Sequence, residues 1–201
     1  MSGSVRLASF GLLVVMAFAA GACRLPRESP TPRYWLLTPI EGTQPVSAAG
    51  RSVGVGPVEL PAYLDRRGVV RRTSSNELYV ARFELWGQPL RDNFTEVLGQ
   101  NLGNLVPGLV AVSFPWKGPQ QDLDYRVVLK VNRFDAGPDD QVVLDTGWTV
   151  HRGMSANWIA GGRKVIREPV QGDEYAAIVA AMSQAVGALS REIAPHLEAA
   201  P

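Results

Sequence analysis

The chain has 201 residues, with 20 Lys or Arg, 19 Asp or Glu, two His, one Cys and 46% hydrophobic residues. That is enough for one ordinary domain with its own core, and a net charge of +1 without a Lys/Arg block gives no electrostatic footprint for nucleic acid. A single cysteine excludes an internal disulfide framework, and so few Cys and His argue against a metal site built from them, so neither metal nor cofactor is expected.

Residues 1–22 carry one charge, Arg6, followed by an apolar run from Leu7 to Ala20 that ends in Ala20-Gly21-Ala22-Cys23. The run is short for a membrane span and has the regions of an export signal. Small residues before Cys23 resemble a bacterial lipobox, in which the thiol is acylated and becomes the new N-terminus. The plain alternative, a signal peptide cut near Ala22, would leave a lone thiol in an oxidising compartment. Cleavage would leave 179 residues with equal numbers of positive and negative side chains, so attachment would rest on lipid and not on a polybasic patch. By resemblance to Gram-negative lipoproteins, Arg24 after the cysteine, where inner-membrane retention uses Asp, favours the periplasmic face of the outer membrane over the inner membrane.

Residues 23–32 form a proline-rich tether, and 33–201 are expected to form a single domain. Tyr34–Leu37 predicts a first strand, and Val53, Val55 and Val58 a second. Val69–Thr73 and Glu77–Arg82 predict two short strands around Ser74-Ser75-Asn76. Pro89 opens a helix in which Leu90, Phe94, Val97, Leu98, Asn101, Leu102 and Leu105 share a stripe, all apolar except Asn101. Pro107-Gly108 stops it. A short strand near Val110–Ser113 precedes a long one from Asp124 to Phe134, which turns at 136–140 into Gln141–His151. Another strand is expected near Lys164–Val170. Tyr175, Ile178, Val179, Met182, Val186, Leu189 and Ile193 then define a second amphipathic helix ending near Pro195. The expected class is α+β: an antiparallel sheet covered on one face by two amphipathic helices.

Few residues suggest catalysis. His196 reads as a solvated tail residue, and a set of Ser155, His151 and Asp145 lacks any nucleophile-elbow context. The pairs Asp122/Asp124 and Asp139/Asp140 sit in turns, and Gly54-Val55-Gly56 is followed by Pro57, unlike a phosphate loop. The stretch from Trp148 to Gly162 reads as a glycine-rich loop or interaction edge, with Met154, Trp158 and Ile159 as candidate lipid or partner contacts; a buried turn between strands is the bland reading.

Residues 53–102 carry the most distinctive pattern: Val55-x-Pro57-Val58-x-Leu60-Pro61-x-Tyr63-Leu64-Asp65-Arg66, then Val70-x-Arg72, Asn76-x-Leu78, Phe83-x-x-Trp86, Pro89-Leu90 and Phe94. Tyr125-Arg126-Val127, Arg133-Phe134 and the terminal helix continue it. The chain thereby resembles the ABC-type transport auxiliary lipoproteins, the PqiC (YmbA) family. The resemblance implies a non-enzymatic, membrane-anchored periplasmic subunit of a lipid-transport system with MCE-domain proteins, bridging inner and outer membranes and supporting envelope integrity. Its implied partners are an MCE-domain protein and its permease, the membrane through the anchor, and phospholipid; a homo-oligomer is compatible with it. Pro57 and Pro61 fix the backbone on either side of Glu59-Leu60, so that Tyr63, Leu64, Asp65 and Arg66, with Trp86, could present a docking surface. The structural alternative packs Tyr63 and Trp86 in the core and leaves Asp65 and Arg66 to local hydrogen bonds. A periplasmic carrier holding lipid in its own cavity is the competing function, and a hydrolase using His151 is a remote third.

Overall fold

The computed structural model describes residues 30–42, 50–115, 123–153 and 158–198. The chain divides into two units, Met1–Thr31 and Pro32–Pro201. Of the first only residues 30 and 31 are described, exposed and without regular structure. Cys23 and Met154 lie outside the described residues.

Eight strands and two long helices build the second unit: β1 (Arg33–Trp35), β2 (Arg51–Glu59), β3 (Gly68–Arg72), β4 (Leu78–Trp86), α1 (Leu90–Leu105), β5 (Leu109–Ser113), β6 (Tyr125–Ala136), β7 (Gln141–Arg152), β8 (Trp158–Pro169) and α2 (Tyr175–Ile193), with a short α3 (Pro195–Glu198). The α+β class and its two helices are as expected. The sheet is mixed. β6, β7 and β8 pair antiparallel, as do β3 and β4, whereas β1–β4, β2–β5, β2–β6 and β3–β6 are parallel. Alternation showed which face of each strand is buried but not which strands pair, and the crossovers through residues 60–67 and through α1 permit parallel neighbours.

Both β2 and β3 pair with β6, β2 along 125–130 and β3 at Ala136, so the sheet forks. One branch ends in β5 and the other in β4 and β1. Between Val55 and Val58 the β2–β6 register shifts, and Gly56 there has φ +122°, a conformation L side chains rarely adopt. Gly54-Val55-Gly56 is thus part of a bulged strand.

Val53, Val55, Tyr125, Val127, Leu129, Val131, Leu144, Trp148 and Val150 point to the helical face and are buried. Against them pack Phe94, Leu98 and Leu102 of α1 and Met182, Val186 and Leu189 of α2, none more than 1% exposed. Phe94 meets Phe134 edge to face at 5.5 Å. Each such side chain contributes about 1.5–3 kcal/mol of burial. α1 follows Pro89 and Val106 caps its C-terminus, the Val106 N–H donating to the Leu102 carbonyl at 2.9 Å.

Four boundaries differ from expectation: β1 ends at Trp35 and not at Leu37, and three others follow. β4 extends to Trp86 and carries Phe83 within it; β8 starts at Trp158, so Trp158 and Ile159 belong to a strand and not to a loop. His196 is half-buried in α3, its ring 5.2 Å from that of Trp148, because the chain continues helically past Pro195 and folds back onto the sheet.

Residues 36–42, without regular structure, are held by side chains of the two helices. Leu37 N–H donates to Asn93 Oδ1 at 2.6 Å, Thr38 N–H to Ser183 Oγ at 3.1 Å and Ile40 N–H to Asn101 Oδ1 at 2.8 Å. Asn104 Nδ2 donates to the Ile40 carbonyl at 3.0 Å, and Asn101 Nδ2 to Ser190 Oγ at 3.1 Å. The one polar member of the α1 stripe is therefore a bridge between this strap and α2.

Candidate functional site

The connection from β2 to β3 is compact. After Pro61, a 3₁₀ turn (Ala62–Leu64) is closed by the Leu64 N–H on the Pro61 carbonyl at 2.9 Å and the Asp65 N–H on the Ala62 carbonyl at 3.2 Å. Leu64 is driven into the core, 2% exposed. Tyr63 is half-buried and its hydroxyl donates to Asp135 Oδ2 at 2.7 Å. Burial first, then that hydrogen bond to a carboxylate, pushes the Tyr63 phenol up to about 12.

Asp135 has no solvent exposure. Arg133 Nε donates to its Oδ1 at 2.9 Å, and Arg72 Nη2 lies 3.4 Å from Oδ2, with the Arg72 guanidinium 6.0 Å from the Tyr63 ring centre. The carboxylate is thus a buried hub that fastens the turn to β6 and β3. Arg72 and Arg133 belong to the distinctive sequence pattern, whereas Asp135 does not. The signal was present: residues 133 and 135, two apart on a strand, share a face, and opposite charges there make a pair.

Of the five residues proposed for docking, Tyr63, Leu64 and Trp86 serve the interior, with Trp86 only 6% exposed. Asp65 and Arg66 are exposed. The Trp86 N–H donates to the Arg67 carbonyl at 2.7 Å, which brings the end of β4 against the loop. A groove of about 320 Å³ opens there, lined by Tyr34, Asp65, Arg66, Arg67, Gly87 and Gln88 among others. β1 forms its border. Arg33 grips Glu84 through Nε at 3.0 Å and Nη2 at 2.9 Å, and Trp35 Nε1 donates to the same carboxylate at 2.7 Å. The hydrogen bond from Arg33 holds the Glu84 carboxyl below its usual range.

Trp158 and Ile159 lie apart from this groove, at the start of β8. Trp158 is 68% exposed and its Nε1 donates to the Ala160 carbonyl at 2.6 Å. A Cβ on Gly161 would stand 2.9 Å from that nitrogen, so glycine leaves room for the indole. With Val128, Lys130, Gly147 and Gly162 it borders an open recess on the sheet face away from the helices.

The imagined triad is not assembled. Asp145 and His151 are six residues apart on β7, about 20 Å. Arg163 Nη2 binds Asp145 at 2.6 Å, and Thr149 Oγ1 lies 3.0 Å from His151 Nε2. Ser155 is outside the described residues. Among the described residues no three His, Cys, Asp or Glu side chains stand together as metal ligands.

An α+β domain whose proline-bracketed turn is nailed to the sheet by a buried carboxylate is the class this fold and site define. The chain belongs to the ABC-type transport auxiliary lipoprotein component family, whose model matches residues 34–194. It is 32% identical over 124 residues to the intermembrane transport lipoprotein PqiC of Escherichia coli K12, and equally to that of Shigella flexneri. These matches span 60% of this chain and 64% of the length of each relative. An uncharacterised protein of known crystal structure superposes with a TM-score of 0.69 at 26% identity, covering 84% of this chain and 99% of that one. A Xanthomonas campestris protein shares the fold at a TM-score of 0.60 and 17% identity, covering 80% and 92%.

Proposed function

We propose that this protein is a non-enzymatic auxiliary lipoprotein of an intermembrane lipid-transport system, acylated at Cys23 after removal of residues 1–22, tethered through 23–32 and facing the periplasm from the outer membrane. Its domain, 33–201, docks an MCE-domain protein associated with a membrane permease, carries phospholipid traffic between the two membranes through that assembly and so supports the envelope. The family match over residues 34–194 carries this reading, and the name of the 32% identical relatives supports the intermembrane part. Asp65 and Arg66, exposed on a turn whose neighbours Tyr63, Leu64 and Trp86 are fixed in the interior, supply the docking surface. A rigid scaffold beneath two charged side chains limits the entropy lost on binding. Trp158, Ile159 and Met154 are a second candidate contact for lipid or partner.

A carrier would need an internal cavity, and the space between sheet and helices is filled by Phe94, Phe134, Leu98, Leu129 and Met182. In detergent extracts, Asp65→Ala with Arg66→Ala should lower recovery of the MCE-domain partner about tenfold, equivalent to about 1.4 kcal/mol, with unfolding unchanged. Undiminished recovery would sink the docking surface, and a stoichiometric phospholipid on the purified protein in native mass spectrometry would favour the carrier.

A further inference from the structure

Two apolar side chains at the root of the tether are turned outward although the chain there is pinned in place. Tyr34 is 61% exposed and Leu36 is 50% exposed, while the residue between them, Trp35, is held by Glu84 and packs against the core. Leu36 rests on Gly87, where a Cβ would come within 3.3 Å of its side chain. Across the groove from Tyr34 stand Arg66 and Arg67, both exposed and without an ion pair among the described residues. An aromatic and an aliphatic side chain beside two unneutralised guanidinium groups have the composition of a surface that sits at a lipid interface: rings and methyl groups at the acyl boundary, arginines on phosphates.

Chain length says which face can reach the bilayer. Ten residues, 23–32, span about 31 Å as polyproline II and at most about 36 Å when fully extended. A globular unit of this size is about 40 Å across. A membrane-anchored Cys23 therefore cannot hold the side of the domain remote from Arg33 against the bilayer, because the tether would have to run past the whole domain. The face around β1 meets lipid with the least stretching.

We propose that the surface formed by Tyr34, Leu36, Arg66 and Arg67 rests on the phospholipid bilayer, with Tyr34 and Leu36 in the interface and the arginines on lipid phosphates. The inference rests on the lipoprotein reading and deepens it: the domain has a fixed orientation on its membrane, and a partner that docks at Asp65 and Arg66 does so at the membrane surface.

The test uses the full acylated protein in vesicles of phosphatidylethanolamine and phosphatidylglycerol, with or without brominated acyl chains. A bimane label is placed at Gln88→Cys on the groove rim just after β4, or at Val165→Cys on β8, four strand spacings and about 19 Å away across the sheet. Bromine should quench the label at 88 several-fold more than at 165. Tyr34→Ser with Leu36→Ser, and Arg66→Gln with Arg67→Gln, should each reduce quenching at 88 towards the level at 165. Replacing phosphatidylglycerol by phosphatidylcholine should weaken it. Equal quenching at both labels, or quenching at 88 that both double variants leave unchanged, overturns the orientation. Protein that floats with the vesicles but shows no quenching sinks this surface alone, whereas protein that fails to float sinks the anchor and the surface together.

Discussion

Asp135 lies at the point where the β2–β3 turn, β3 and β6 meet, and its negative charge is balanced by Arg133 at 2.9 Å and Arg72 at 3.4 Å. Removing one partner of such a cluster leaves the others uncompensated. Asp135→Ala should therefore cost about 3–5 kcal/mol in urea unfolding, more than loss of an exposed ion pair such as Lys164–Glu192, which is worth under about 1 kcal/mol. Tyr63→Phe deletes only a hydrogen bond to a charged acceptor and should cost about 1.5–3 kcal/mol. Its pH behaviour separates it from a packing defect. The Tyr63 phenol is raised to about 12 in the folded chain, against about 10 when unfolded. The folded state thus holds its proton longer, and this share of stability is complete below pH 10 and is lost as pH rises towards 12. The Phe variant should lose that alkaline slope, as read from unfolding free energies between pH 9 and 12.

The same residues mark a limit of pattern reading. A proline-bracketed segment with Tyr63, Asp65 and Arg66 was legible as a site, but whether an aromatic faces solvent or core depends on what lies across from it. Asp135 is 72 residues away in sequence. Only the register of β6 beside β3 brings the two together.

Among the elements, those with one strong period were the most legible. The stripes of α1 and α2 and the β6–β7 hairpin follow directly from apolar spacing, since local hydrogen bonding and one buried face determine them. The strap at 36–42 had no such signal, because its backbone is satisfied by side chains on distant helices. Asn101 was the visible clue, a polar side chain on a buried stripe. Its replacement by Leu, branched alike at Cγ and a better helix former, strands the Ile40 N–H, a loss of about 1–3 kcal/mol. Hydrogen exchange should locate the damage: the Leu37 and Ile40 amides should exchange faster in Asn101→Leu, while amides in the middle of β6 keep their relative protection. That Trp158 lies in a strand escapes the pattern for another reason. Gly161 and Gly162 read as loop punctuation, yet in β8 glycine makes room for an indole lying along the strand.

For the molecule as a whole, the class was legible and the pairing was not. Four parallel pairings join segments far apart in sequence, and no local period reports them. At this scale the anchor can be tested simply. Cys23→Ser should move the protein from the membrane fraction to the soluble periplasmic fraction while leaving its unfolding transition in place, since the domain from Pro32 onward has its own core. Persistence in the membrane fraction would count against lipid attachment at Cys23.

The parallel pairing of β1 with β4 also has a mechanical meaning. β1 is the first strand of the folded unit, so under the proposed attachment at Cys23 any load from the membrane enters the fold at residue 32. Its bonds to β4, the Arg33–Glu84 fork and the strap hydrogen bonds behind it are the contacts that such a load would meet first. Those contacts would then set how much tension the domain bears before β1 leaves the sheet and the core behind it begins to open.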